Sequence, residues 1–437
     1  MIPNVFKEYI TEPKETFEVK GLKLNRREKN YLYPMISKKK VLKDLEAFYY
    51  LYETCYCGCD YFKNAGFNIH NAINHIMERI ATRRIVTKRE LGRMIYYELK
   101  DQIKDNHFFV TIPSGTKKET YYCGGHKAVY FADVLVEKLE SSYRVIKSLD
   151  STLKIGTELC IPTQYLYATL APAGKEFFLI GVADYKKVSE VIIYRGDIPI
   201  QLNLHICRAG EASRKNNVSF EIKKERGVTV ITSGSFSFRD NNSCETAQKL
   251  GEELSNESIL LWNLIGNSGG SSLYAQSFIE GLNTYANNHQ HMAWLKTPYT
   301  DFHDQREMKE WYMEWYYEIC PEYSYETATY DGTIIALMNR YTGSSAEMAV
   351  GYSKSIRKHL LIGENSHGAG IFGEQMQYVL PYSGIQLGMG CKLFLGDFSE
   401  GEGYQPDYWV DSSDVKGEVI CWYKNQATYS PGWFSEP

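Results

Sequence analysis

Two glycine-rich turns hold the residues best suited to covalent chemistry. Gly266-Asn-Ser-Gly-Gly-Ser-Ser272 follows the apolar run 259–265, and Thr342-Gly-Ser-Ser-Ala-Glu347 follows the apolar run 333–339. Each leads into a helical pattern, from about Leu273 and from Ser345. In an open α/β sheet, function gathers where strands end and helix N-termini aim unsatisfied N–H groups. A serine on such a turn is exposed. The N–H of the residue after it, together with the helix dipole, can stabilise an oxyanion. A hydroxyl is a weak nucleophile and needs a base. The chain has ten histidines, and spacing alone does not choose among them. On local pattern Ser344 also reads as a plain helix N-cap, and Gly269 and Gly270 as an ordinary strand-to-helix turn.

The elements that must present these turns alternate in type after Gly227. The pattern gives a strand at 228–231, a helix at 244–254, a strand at 259–265 and a helix from 273. After a polar and aromatic insertion (287–328) it gives a strand at 333–339, a helix at 345–358 and a strand at 360–363. Repeated strand–helix–strand units imply a parallel sheet covered by helices. The first quarter reads as helical. Ser37 precedes Val41, Leu42, Leu45, Phe48, Tyr49 and Tyr52 at helical spacing. A second apolar stripe runs from Ile69 to Ile80. The third helix opens on the capping box Thr87 and Glu90 and runs out near Asp105-Asn-His107. Between 115 and 222 the period shortens to that of strands, with turns at Gly196-Asp197 and Ala209-Gly210 and a loop at 214–217. The expected domains are therefore consecutive: helical over 1–112, a small β-rich domain over 113–224, and α/β over 225–437.

Composition narrows the function classes. The chain has 437 residues, too many for one compact core, and is 43% hydrophobic and 23% charged, which excludes a disordered or collagen-like chain. Its net charge of −4 gives no electrostatic reason to expect nucleic acid or anionic lipid as a partner. No apolar run reaches the ~20 residues that span a bilayer. The N-terminus lacks a basic n-region followed by an apolar h-region, and the expected location is cytoplasmic. Cys55, Cys57 and Cys59 lack the usual zinc spacing and read as structural thiols. No metal or cofactor is expected.

Several blocks in the second half, taken in order, resemble the C-terminal-processing, or tail-specific, serine peptidases, a family that includes the tricorn core protease. Leu264-Ile-Gly-Asn-Ser-Gly-Gly270 resembles the family's strand-end segment D-L-R-x-N-x-G-G, although Asn263 and Gly266 replace its Asp and Arg. Thr342-Gly-Ser-Ser-Ala-Glu347 resembles the nucleophile turn S-A-S-A-S-E. Leu361-Ile-Gly-Glu-Asn-Ser-His-Gly-Ala-Gly370 resembles V-G-E-x-T-x-G-K-G, and Gly403-Tyr-Gln-Pro-Asp-Tyr-Trp-Val410 resembles the closing G-I-x-P-D-x-x-V. Upstream, Asp105-Asn-His107 resembles D-x-H. The resemblance spans roughly 35–112 and 225–412 and implies a crotonase-like α/β catalytic domain acting on peptides or unfolded proteins.

The resemblance also implies site residues. Ser344 would be the nucleophile. Where many members carry a catalytic lysine this chain has Ala369, which points to the branch using Ser, His and Glu. His107 would then be the general base and Glu402 its orienting carboxylate. Asn106 stands where the tricorn branch has a serine. The oxyanion hole would use the N–H of Ser345 and that of Gly269 or Gly270. Leu153-Lys-Ile-Gly-Thr-Glu-Leu-Cys160 resembles a turn and strand of PDZ domains, which makes a PDZ-like or otherwise β-rich middle domain the expectation.

Two rival readings stand beside this one. Gly266-Asn-Ser-Gly-Gly270 echoes the trypsin-like G-D-S-G-G and would make Ser268 the nucleophile, but Asn267 replaces its aspartate and a helix follows. The other is a non-catalytic binder of apolar ligand or peptide on the same fold. For such a binder the aromatic stretch Trp311-Tyr-Met-Glu-Trp-Tyr-Tyr317 could line a pocket, or it could be an ordinary packed helix face.

Overall fold

The computed structural model describes residues 2–11, 34–114, 117–209, 220–236, 243–287, 290–297, 313–321 and 330–432. The chain packs as two compact units, each assembled from three separate stretches. One comprises Met1–Gly125, His289–Pro321 and Ala369–Gly401, and the other His126–Asn288, Glu322–Gly368 and Glu402–Pro437. These units do not coincide with the three consecutive segments expected from the sequence. The loop expected at 214–217 lies outside the described residues.

In the first unit, helices Lys38–Cys55, Ile69–Arg79 and Lys88–Leu99 form where the apolar spacing placed them, although the third ends at Leu99 and not near Asp105–His107. Thr87 caps the last of these by accepting the Glu90 N–H at 3.1 Å, but the Ser37 side chain makes no such bond at the first. These helices cannot bury their apolar faces on one another alone. Val41, Leu45, Phe48, Tyr52, Ile76 and Leu91 share a core with Val110, Phe372, Leu387 and Met389 from strands that arrive much later in the chain. The partner sheet runs Glu314–Glu318, Gln290–Lys296, Gln386–Gly396, Phe109–Ser114, Lys117–Tyr122, with Phe372–Val379 also paired to Gln386–Gly396. Residues 1–112 are thus not a domain by themselves. The Trp311–Tyr317 stretch is a strand over its described part rather than a helix face. Trp315 and Tyr317 pack on the core while Tyr316 is exposed, the period of two that strands impose.

The second unit is built on a 12-stranded sheet. Its parallel half contains Val228–Thr232, Ile259–Asn263, Thr333–Met338 and Lys358–Gly363, in that order, ending at the short strand Tyr408–Trp409. Helices Ser243–Leu254, Ser272–Gly281 and Ser345–Ser353 connect these strands, as the alternating pattern predicted; the last ends at Ser353, not near Lys358. Leu166–Thr169 then pairs with the open edge of Tyr408–Trp409, and the Thr169 hydroxyl donates to the Trp409 carbonyl at 2.5 Å. Beyond it the sheet continues antiparallel through Phe177–Asp184, Ala128–Lys138 and Tyr143–Ser148. The expected separate β-rich segment is therefore an extension of the same sheet from about residue 128. Val129, Phe131 and Leu179 share a core with Val230, Leu261, Ile362 and Trp409. The mixed α/β class with one large sheet is as expected. Among the described residues no helix is long and apolar enough to cross a membrane.

Candidate active site

The strand Thr333–Met338 is buried between two parallel neighbours, so its carboxyl end and the turn after it have little freedom. Asn339, fully buried, donates to the Ala209 carbonyl at 3.0 Å and accepts the N–H groups of Gly266 and Tyr341, each at 3.1 Å. The Thr342 hydroxyl donates to the Leu264 carbonyl at 2.9 Å, and the Gly343 N–H donates to the Asn267 carbonyl at 2.9 Å. The two glycine-rich turns picked out by sequence are thereby stitched to each other.

Ser344 sits at the tip with φ 54° and ψ −123°, a conformation that a serine adopts only under constraint. Helix Ser345–Ser353 starts immediately after it. Strained serines on sharp strand-to-helix turns present their hydroxyl outward, beside the N–H groups of the helix start. Gly269 packs against this tip. Its φ is 104°, and a Cβ there would lie 2.8 Å from the Ser344 Cβ and 3.0 Å from the Ser345 nitrogen, so only glycine fits. Among the described residues, the N–H groups of Ser345 and Gly270 have no hydrogen-bond acceptor, whereas the Gly269 N–H donates to Asn267 Oδ1 at 2.9 Å. Of the two glycines expected to supply an oxyanion donor, Gly270 is the one whose N–H remains available. The Ser345 hydroxyl donates to the Gly270 carbonyl at 2.7 Å and fixes the spacing of this pair.

Ser268 is exposed on the same turn, but its setting is not that of a double β-barrel: a parallel strand precedes it and a helix follows. Asn267, the residue in place of the trypsin-like aspartate, is buried and donates to the Ser233 carbonyl at 2.9 Å.

Glu402 belongs to the same unit as Ser344. Its carboxylate pairs with Lys127 at 3.1 Å, with the two side chains 40% and 33% exposed. Its carbonyl accepts from the Asn365 side chain at 2.9 Å.

His107 belongs to the other unit. It lies in a turn beyond the end of helix Lys88–Leu99, so it does not serve as that helix's C-terminal cap. Asp105 organises this turn by accepting the N–H groups of His107 at 2.6 Å and Phe108 at 3.1 Å, and the Tyr56 hydroxyl at 2.7 Å. Burial pushes the Asp105 carboxyl up to about 7. Glu400 accepts the Asn106 N–H at 2.9 Å and the Gly370 and Ile371 N–H groups at 3.2 and 2.9 Å.

Sequence reasoning missed a histidine pair in the second unit. The His367 N–H donates to the Thr342 carbonyl at 2.8 Å, and its side chain packs on Gly343. Its Nδ1 lies 2.9 Å from the Arg340 carbonyl, which can only accept, so Nδ1 carries the proton and Nε2 is the basic nitrogen. His126 stacks on it at 5.7 Å and donates to the His367 carbonyl at 3.0 Å, and burial pushes the His126 imidazole down to about 4. The only signal for His367 in the sequence was its place inside the 361–370 block.

One group among the described residues, Asp133, His205 and Asp411, places three ligand-type atoms within 4.8 Å of one another. Arg208 reaches into it, with Nη2 2.8 Å from His205 Nε2 and bonded to Asp133. A guanidinium thus already answers the charge that a cation would meet, and the group reads as a polar clasp.

No family model and no curated protein matches the sequence. Several solved structures are similar to the chain. Mature CPAF complexed with lactacystin is 14% identical, with 89% of this chain and 98% of that one covered and a TM-score of 0.46. The photosystem II D1 C-terminal processing protease is 14% identical over the same shares, with a TM-score of 0.39. A putative peptidase from Parabacteroides merdae is 14% identical, with 90% and 94% covered and a TM-score of 0.42. The functional reading rests on the chain's own residues; the structures it is similar to include peptidases of the C-terminal-processing type.

Proposed function

We propose that this chain is a serine peptidase of the C-terminal-processing type, hydrolysing peptide or unfolded-protein substrates through an acyl-enzyme. The observation that carries the reading is the strained Ser344 at a strand-to-helix turn, flanked by two N–H groups, of Ser345 and Gly270, that have no acceptor among the described residues. Ser344 Oγ attacks the scissile carbonyl while a histidine takes its proton. The oxyanion is held by the Ser345 and Gly270 N–H groups, each such donor contributing ~3 kcal/mol to the transition state. The same histidine returns the proton to the leaving amine, and water releases the acyl group by the reverse steps. The resemblance assigns the base to His107 and its orientation to Glu402. The chemistry uses neither metal nor organic cofactor. As part of the same reading, the parallel half of the large sheet is crotonase-like, and the strands within 113–224 correspond to the PDZ-like region of such peptidases.

The test is a diverse peptide mixture incubated with wild type or Ser344→Ala and read by mass spectrometry. Cleavage by wild type alone supports the reading. Equal cleavage by both removes Ser344 as nucleophile and returns attention to Ser268. Peptide binding without cleavage favours the non-catalytic binder.

A further inference from the structure

Glu347 lies in the first turn of helix Ser345–Ser353 and is 1% exposed. Its Oε2 accepts the Ser344 N–H at 3.0 Å. Its Oε1 accepts the Ser366 hydroxyl at 2.6 Å and the Gly368 N–H at 2.7 Å. While its hydroxyl donates to Glu347, the Ser366 oxygen accepts the Tyr404 N–H at 2.7 Å, and the Ser366 N–H donates to the Tyr404 carbonyl at 3.0 Å. The neighbouring Asn365 donates to the carbonyls of Glu402 and Lys127 at 2.9 and 3.0 Å. One buried carboxylate thus links the backbone of Ser344 to the 365–368 loop, and through that loop to the segment carrying Glu402.

This arrangement goes further than a helix cap requires. A capping box satisfies donors at a helix start, and an N-cap residue ordinarily keeps an extended backbone. Here the capped residue is held at φ 54°, and the carboxylate divides its acceptors between that residue and a distant loop. Hydrogen bonds to an ionised acceptor are short and directional, so the direction of the Ser344 N–H is tied to where Ser366 and Gly368 stand.

We propose that Glu347 is a positioning residue that holds Ser344 in its strained conformation and makes that conformation depend on the seating of the 365–368 loop, together with the 402–405 segment. The proposal rests on the peptidase reading of Ser344. A displaced 365–368 loop would withdraw two donors from Glu347, free its carboxylate to turn, and let Ser344 relax from the attack geometry. Misplacement of a nucleophile by about 1 Å costs on the order of 10²-fold in rate.

The test compares wild type, Glu347→Gln and Ser366→Ala in the full chain. It follows kcat and KM on a peptide that wild type cleaves, and amide hydrogen exchange read by mass spectrometry. Glutamine keeps the size of Glu347 but offers one acceptor oxygen, so an NH2 must face either Ser344 or the Ser366–Gly368 pair. The expected result for Glu347→Gln is a fall of ~10²-fold in kcat with KM within about threefold, and faster exchange over 402–408. Ser366→Ala leaves the carboxylate its other two donors and should lose about tenfold in kcat, which keeps the test open if Glu347→Gln folds poorly. Activity that falls only with the fraction of folded protein, with exchange at 402–408 unchanged, overturns the proposal. If no variant or wild type cleaves, yet exchange at 402–408 still responds to Glu347→Gln, the peptidase reading fails and takes the catalytic role of Glu347 with it.

Discussion

Each unit fixes the backbone of a residue proposed for catalysis with a buried carboxylate, and the two carboxylates work differently. Asp105 in the first unit takes N–H groups from His107 and Phe108, two and three residues after it, and one hydroxyl from Tyr56. Glu347 in the second unit takes the N–H of Ser344, just before it, but its other donors, Ser366 and Gly368, come from a separate loop. The first is essentially an Asx turn, a local device that a short stretch of chain can form by itself. The second exists only once a strand, a helix and two loops have packed. A turn that orients a base tolerates local control, because an imidazole can swing about its side-chain bonds. A nucleophile held in a sparsely populated backbone conformation needs support from several directions.

The widest gap in activity should separate two histidines, one from each unit. If the base comes from the first unit, His107→Ala should lower kcat by at least ~10⁴-fold, the scale seen when one member of a catalytic triad is removed. His367→Ala should stay within about tenfold, since its ring then serves in packing on Gly343, stacking on His126 and bonding the Arg340 carbonyl. Steady-state kinetics of both variants, with folding checked by circular dichroism, decide the matter. The reverse order would place the base in the second unit, at His367 Nε2.

Next in size is Gly269→Ala. The added methyl meets the Ser344 Cβ at 2.8 Å and sits on a backbone with φ 104°. We expect kcat to fall by ~10²-fold, while the thermal midpoint shifts as for a strained substitution worth ~1–3 kcal/mol. An unchanged kcat would mean that the second unit positions its serine without the glycine turn.

How far these devices can be read from sequence follows from the range over which each acts. Alternating strands and helices after Gly227, the three N-terminal helices and the Thr87 cap follow from periodicity and local pairs, and all are present, although the Glu90 carboxylate turns to Arg83 and does not complete the capping box. The turn around Ser344 and the glycines before it were legible because strand-to-helix junctions carry a composition of their own. What escaped was set by distant partners. Gly269 and Gly270 look alike in sequence, yet Asn267 Oδ1 takes the N–H of one and leaves the other. Glu400 and Glu402 are interchangeable in Ser399-Glu-Gly-Glu-Gly403. Folding sends one to the Asn106 N–H and the other to Lys127. The units themselves were illegible for the same reason, because the helices of the first are completed by strands from 290–296 and 372–396.

The remaining expected effect concerns the local device alone, and it is read in stability rather than in rate. Burial raises the Asp105 carboxyl to about 7 in the folded chain, against a value near 3.9 when unfolded. Between those two values the folded chain holds a proton on Asp105 that the unfolded chain has released. Folding is therefore favoured at the acid end of the window, and this contribution is lost as pH rises through it, with a slope of at most ~1.4 kcal/mol per pH unit. Below about pH 4 both states are protonated, and above about 7 neither is, so the dependence flattens at each end. Asp105→Asn removes the titration while keeping an acceptor oxygen for the His107 N–H. The difference in unfolding free energy between wild type and Asp105→Asn, measured by denaturant titration from pH 4 to pH 7.5, should therefore change steadily in favour of the variant as pH rises. A pH-independent difference would mean that Asp105 stays ionised across the window. The first unit would then hold its histidine turn with a permanent charge, and the contrast between the two carboxylates would reduce to the distance from which their donors come.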